Sequence, residues 1–191
     1  SMVVLSDGII IMTSGWNGST RFNDVWEGID NGTIWARISA AGAQHSGPCA
    51  ALGSSGNRSV CVSDNPTLVT LSDDGGLTVS VAADDPPFGQ RYGTTMTAML
   101  GGQVLALVGG CESSSGAEIG DVWTSRVNPA AWSRRVVASG VLTPRCYGAA
   151  VRVNDSEVLL VGGSSTGRTI TTDITLLSLS AGNDTLAAAV T

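Results

Sequence analysis

The chain has no lysine, one histidine, two phenylalanines and two tyrosines, and each shortage closes off a class of function. Ten arginines stand against 16 acidic residues, a net charge of −6. Duplex binding wants a contiguous basic face, so nucleic acid is not an expected partner. The missing lysine itself reads as coding bias in a GC-rich genome. His45 is the only histidine, which excludes multi-histidine metal chemistry such as a copper oxidase site. Cys49, Cys61, Cys111 and Cys146 form no CxxC pair, so neither a zinc site nor any other metal or cofactor is expected. Gly101-Gly102 and Gly109-Gly110 lack the following helix and lysine of a phosphate-cradling loop. Nothing around any serine resembles a nucleophile activated through His45. No window of ten or more residues combines helical spacing with helix formers. The apolar stretch from Val3 to Met12 is broken by Ser6-Asp7-Gly8 and has no basic leader, so it reads as neither signal peptide nor membrane span. Ser1 before Met2 looks like a residue left by tag cleavage.

What is abundant is glycine, 25 residues, with 41 serines and threonines. Many turns and little bulky packing material favour short strands, and an all-β domain follows. The stretch from Gly102 to Trp132 organises the rest. Val104-Leu105-Ala106-Leu107-Val108 is too short for a buried helix and reads as a strand covered on both faces. Gly109-Gly110 ends it, and Asp121-Val122-Trp123 and Trp132 follow. The N-terminus has the same order of parts: Ile9 to Met12, Gly15, Asp24-Val25-Trp26 and Trp35.

Read as repeats, the chain divides into four modules in one domain spanning 1–191, at about 1–41, 42–84, 85–139 and 140–191. Each holds four strands in a meander. The second module aligns to the first at an offset of 44 with its tryptophans replaced. The fourth repeats the start of the third, with Arg145-Cys146-Tyr147-Gly148 answering Arg91-Tyr92-Gly93, then Gly162-Gly163 and Asp173-Ile174-Thr175. A period near 48 residues is that of propeller blades.

The arginine and Tyr92 or Tyr147 before the first strand, the glycine pair after the second, Asp-Val-Trp on the third and a tryptophan near the fourth together resemble the kelch repeat. The expected fold is therefore a four-bladed β-propeller of four-stranded kelch-like blades, and the resemblance implies a protein-interaction module. Ser72-x-Asp74-x-Gly76-x-Thr78 resembles the Asp-box hairpin of sialidase-type propellers, and Asp30-x-Gly32-x-x-Trp35 is a looser version. Both are scaffold motifs: an Asp in such a turn accepts backbone N–H bonds while Gly allows a positive φ.

In such blades the loops from second to third strand and from blade to blade emerge at one end, where binding usually resides. There the sequence places Trp16, Arg21, His45, Arg91, Glu112, Arg145 and Arg168 as binding candidates. Trp16 leads, because Trp and Arg dominate interface energetics. Arg91 and Arg145 occupy equivalent positions and suit either bidentate carboxylate binding or a structural role within the blade. The reading leans against an enzyme and towards a non-catalytic module taking a protein partner. Glycan binding or processing of the sialic-acid kind and a structural segment of a larger protein are the alternatives. Tyr92 and Tyr147 sit at repeat positions that the resemblance gives to inter-blade packing, which argues against a tyrosine nucleophile for glycoside hydrolysis.

Four blades make a narrow ring. A complete small propeller, half of an eight-bladed ring closed by a homodimer, and an excerpt of a longer protein are all open, the last two favoured. Cys49 and Cys61 fall on adjacent antiparallel strands and suit a bridge in an oxidising compartment. Five of eight asparagines head an N-x-Ser/Thr triplet: Asn17, Asn31, Asn57, Asn154 and Asn183. That excess hints at secretion, while asparagine-rich turns explain it nearly as well. A cytoplasmic setting is slightly favoured over a secreted one.

Overall fold

Short β-branched and apolar runs, each stopped by glycine-rich turns, fold into four small antiparallel sheets in the computed structural model of the protein, which describes residues 1–5, 7–39, 47–53, 57–63, 68–126, 129–139, 142–165, 169–179 and 185–190. The first sheet is β1 (Met2–Val4), β2 (Ile10–Trp16), β3 (Arg21–Ile29) and β4 (Ile34–Ser39). The second is β5 (Cys49–Ala51), β6 (Ser59–Val62), β7 (Val69–Ser72) and β8 (Ser80–Ala83). A two-residue strand β9 (Arg91–Tyr92) precedes the third sheet, β10 (Thr95–Met99), β11 (Val104–Val108), β13 (Val122–Arg126) and β14 (Ser133–Ser139), and pairs with β12 (Cys111–Glu112). The fourth is β15 (Ala149–Arg152), β16 (Glu157–Val161), β19 (Ile174–Leu179) and β20 (Thr185–Val190), with the short hairpin β17 (Ser164–Ser165) and β18 (Thr169–Ile170) inserted in its long loop. The described residues contain no α-helix, only a 3₁₀ turn at Leu100–Gly102.

The sheets are arranged as a four-bladed β-propeller. Strands β1, β5, β10 and β15 stand innermost and line a shared central cavity of about 820 Å³. One departure from independent blades occurs at the outer rim. Strand β20 pairs with β19 antiparallel and with β14 in parallel, so blades 3 and 4 run together as one eight-stranded sheet. This occupies two edges that would otherwise present unpaired backbone groups.

Three buried cores fill the seams between successive blades. Val3, Leu5, Ile11 and Val25 of blade 1 meet Cys49 and Cys61 of blade 2. Val60, Val62 and Val69 of blade 2 meet Met96, Leu105, Leu107, Phe88 and Trp132. Met99, Val104, Ala106, Val108 and Val122 of blade 3 meet Val158, Leu160 and Leu177 of blade 4. Among the described residues no such core joins blade 4 to blade 1.

The two ends of the propeller differ. One carries the turns between first and second and between third and fourth strands, and it is laced across blades by backbone bonds: Gly53 N–H donates to Gly102 O at 3.0 Å and Leu100 N–H to Asp155 O at 2.7 Å. A side chain at Gly102, whose φ is +83°, would put its Cβ 2.3 Å from Gly53 N, so this close approach requires glycine. The other end carries the longer loops.

Candidate interaction surfaces

The lead-in arginines set the geometry of the loop end. Arg91 is 4% exposed. Its Nε donates to Phe88 O at 2.9 Å, and its Nη1 donates to Gly109 O at 3.1 Å and to Asp121 Oδ1 at 2.6 Å. Arg145 repeats the pattern one blade on. Its Nε donates to Thr143 O at 3.1 Å, its Nη1 to Gly162 O at 3.0 Å, and its Nη1 and Nη2 grip Asp173 at 2.9 and 2.5 Å. The glycine pairs present those carbonyls in one conformation, φ +61° and +108° at Gly109-Gly110 and +61° and +110° at Gly162-Gly163. Each is thus a left-handed turn that brings a carbonyl onto a guanidinium. The aspartate then reaches the third strand: Asp121 Oδ2 accepts Trp123 Nε1–H at 2.7 Å, as Asp24 Oδ2 accepts Trp26 Nε1–H at 2.8 Å in blade 1. Phe88 meets Trp123 and Trp132 edge-on, with centroids 6.2 and 5.2 Å apart. The Arg145 guanidinium holds the Asp173 carboxyl below the usual carboxylate range, against the opposing effect of burial.

The carboxylates bound by Arg91 and Arg145 therefore belong to the chain itself. Trp16 and Arg21 oppose one another at the tips of β2 and β3. Glu112 is exposed on β12 and accepts a bond from Ser115 Oγ. His45 and Arg168 lie outside the described residues. Tyr92 and Tyr147 lie beside each other across the junction of blades 3 and 4, centroids 6.0 Å apart, with Tyr147 largely exposed.

The hairpin from Ser72 to Thr78 closes as its residues require. Thr78 N–H and Oγ1–H donate to Asp74 at 2.9 and 2.5 Å, and Gly76 N–H donates to Ser72 Oγ at 2.7 Å. These bonds, led by the Thr78 hydroxyl, hold the Asp74 carboxyl low. At Asp30 the equivalent bond comes from Thr33 Oγ1, at 3.0 Å.

Cys49 and Cys61 face each other in register on β5 and β6 and are bridged, Cα atoms 4.1 Å apart. A second bridge, Cys111 to Cys146 with Cα atoms 5.4 Å apart, was not expected. It links the β11–β13 loop to the lead-in of blade 4, two segments whose neighbourhood depends on blade packing and is not visible in sequence spacing.

Blades 1 and 4 each leave an apolar sheet face exposed. Register makes the comparison residue by residue: Met2 opposes Met12 and Met12 opposes Trp26, as Met96 opposes Leu107 and Leu107 opposes Trp123. Met2 and Met12 are 60% and 37% exposed, where Met96 and Leu107 are 6% and 0%. On blade 4, Val161 and Ile174 are 40% and 39% exposed, where their blade 3 counterparts Val108 and Val122 are 2% and 0%. Blade 1 thus leaves open the kind of face that blade 3 buries on its predecessor, and blade 4 the kind that blade 3 buries on its successor.

Among the described residues no group of three or more His, Cys, Asp and Glu is placed to hold a metal ion, and no helix is long and apolar enough to cross a membrane. The chain matches no protein-family model and no curated protein.

Proposed function

We propose that the chain is a kelch-like, non-catalytic protein-interaction module, one domain with blades at about 1–41, 42–84, 85–139 and 140–191. In this reading its partner surfaces are the loop end, around Trp16, Arg21 and Glu112, and the two open blade faces. The observation that carries it is the exposure of contiguous apolar sheet on blades 1 and 4, since large exposed apolar patches mark interaction sites. The occupant of those faces is a second copy of the chain. The two faces are the two halves of a seam that the chain already forms between its own blades. A two-fold axis along the channel sets blade 4 of each copy on blade 1 of the other and closes an eight-bladed ring. The glycan reading requires Arg91 and Arg145 to leave Asp121 and Asp173, and no observation favours it.

The test uses Met2→Glu and Val161→Glu, each placing a charge on one open face. Each variant alone puts a charge in both seams of its homodimer and is expected to sediment as a monomer. Mixed together, the two variants share one seam free of either substitution, and a partial return of dimer is expected. Variants that remain dimeric, or a mixture no different from its components, would overturn the proposal. Retained thermal unfolding separates loss of pairing from loss of fold.

A further inference from the structure

From the cysteine pairing and the placement of the asparagine triplets, we infer that the protein matures in an oxidising, glycosylating compartment and carries N-linked glycan on the turn end of its propeller, at Asn31, Asn57 and Asn154. The first observation is redox. All four cysteines are in the two bridges, and each is buried. Such bonds persist where thiols are not kept reduced. The second is topological and independent. Of the four triplet asparagines among the described residues, Asn31 lies in the β3–β4 turn, Asn57 in the β5–β6 turn and Asn154 in the β15–β16 turn. All three turns emerge at the same end, on three different blades. Only Asn17, in the β2–β3 loop, is at the other end.

The geometry at Asn154 and Asn31 tolerates the modification. In the transfer, Asn Nδ2 bonds the anomeric carbon of an oligosaccharide carried on a lipid pyrophosphate. The anomeric C–O bond breaks, one amide proton is lost, and the lipid pyrophosphate leaves. The modified nitrogen keeps one hydrogen and the side-chain oxygen is untouched. At Asn154, Oδ1 accepts Ser156 N–H at 2.9 Å and Nδ2 donates a single bond to Glu157, so both interactions survive. Asn31 is fully outside the core at φ +54° in its turn. Half-buried Asn57 lies beside Gly75, where a Cβ would stand at ordinary contact distance from it, 3.8 Å from the Asn57 Cβ and 4.0 Å from its Nδ2. The glycans then coat the end opposite the long loops and leave the blade faces bare.

The experiment is the intact mass and free-thiol content of the protein isolated from its own organism, before and after peptide N-glycosidase in heavy-oxygen water. Asn31, Asn57 and Asn154 are expected to convert to labelled aspartate, with no thiol titrating before reduction. A native protein with unmodified mass, or with titratable thiols, would overturn the inference. In parallel, the chain is secreted from cultured eukaryotic cells beside a triple variant, Asn31→Gln, Asn57→Gln, Asn154→Gln. Loss of three glycan mass steps with unchanged thermal unfolding is expected of the variant. A folded, secreted wild-type chain with these three sites empty would also count against it.

Discussion

Replacing Arg91 by methionine removes a buried cation from a buried anion, and the structure sets the size of the effect. Asp121 is 9% exposed, and its other side-chain partner is Trp123 Nε1. Without the guanidinium the carboxylate loses its countercharge, and the carbonyls of Phe88 and Gly109 lose their donor. Breaking a buried pair on one side costs about 3–5 kcal/mol, a large part of the ~5–15 kcal/mol that holds a domain together. In urea, with a slope of about 2 kcal/mol/M, the midpoint should fall by about 2 M. Tryptophan fluorescence reads the transition directly, since Trp123 and Trp132 are neighbours of the pair. Arg58→Met is the control: its ion pair with Asp73 lies at the surface, the two side chains 39% and 70% exposed, and such pairs contribute about 1 kcal/mol. Adding Asp121→Asn to Arg91→Met removes the stranded charge and should restore part of the loss. If Arg91→Met cost no more than Arg58→Met, the scaffold role given to the lead-in arginine would be wrong.

Three further outcomes follow from particular contacts. Asp173 has its folded-state pKa depressed by Arg145, so its contribution is fully present above the ordinary carboxylate pKa and is lost as pH falls through the lowered value. Asp173→Asn should flatten the acid limb of a thermal-stability profile against pH. Gly102→Ala must displace the backbone of Gly53 and adopt a positive φ, which should cost more than the ~1–3 kcal/mol of ordinary overpacking, read by chemical denaturation. The Cys111–Cys146 bridge spans 35 residues against 12 for Cys49–Cys61. Chain-entropy reasoning then puts the loss on replacing each pair by alanine at about 4 and 3 kcal/mol, an order that calorimetry of the two double variants can check.

The repeat was legible because its parts are short-range and chemically distinctive. An arginine, a glycine pair and an Asp-x-Trp each appear in the sequence, and the structure joins them into one unit: the glycine carbonyl and the aspartate hold the guanidinium, and the aspartate holds the indole. The Cys49–Cys61 bridge was legible because strand register alone sets those residues opposite each other. What depends on how blades sit against one another was not. The Cys111–Cys146 bridge crosses a blade junction, and the parallel β14–β20 pairing joins the two outer rims. The need to cover blade faces followed from the repeat, but the faces left open at Met2, Met12, Val161 and Ile174 became specific only once their counterparts in blade 3 were seen buried. His45 and Arg168 lie outside the described residues, so their expected place at the loop end stays a proposal.

The measurement that bears most directly on the account is the molar mass of the unmodified chain in solution, by light scattering over a range of concentrations. Paired open faces predict a species at twice the 19.4 kDa of the chain, persisting on dilution into the micromolar range. A mass of 19.4 kDa throughout would contradict the two-fold ring and leave the apolar faces of blades 1 and 4 to some occupant other than a second copy.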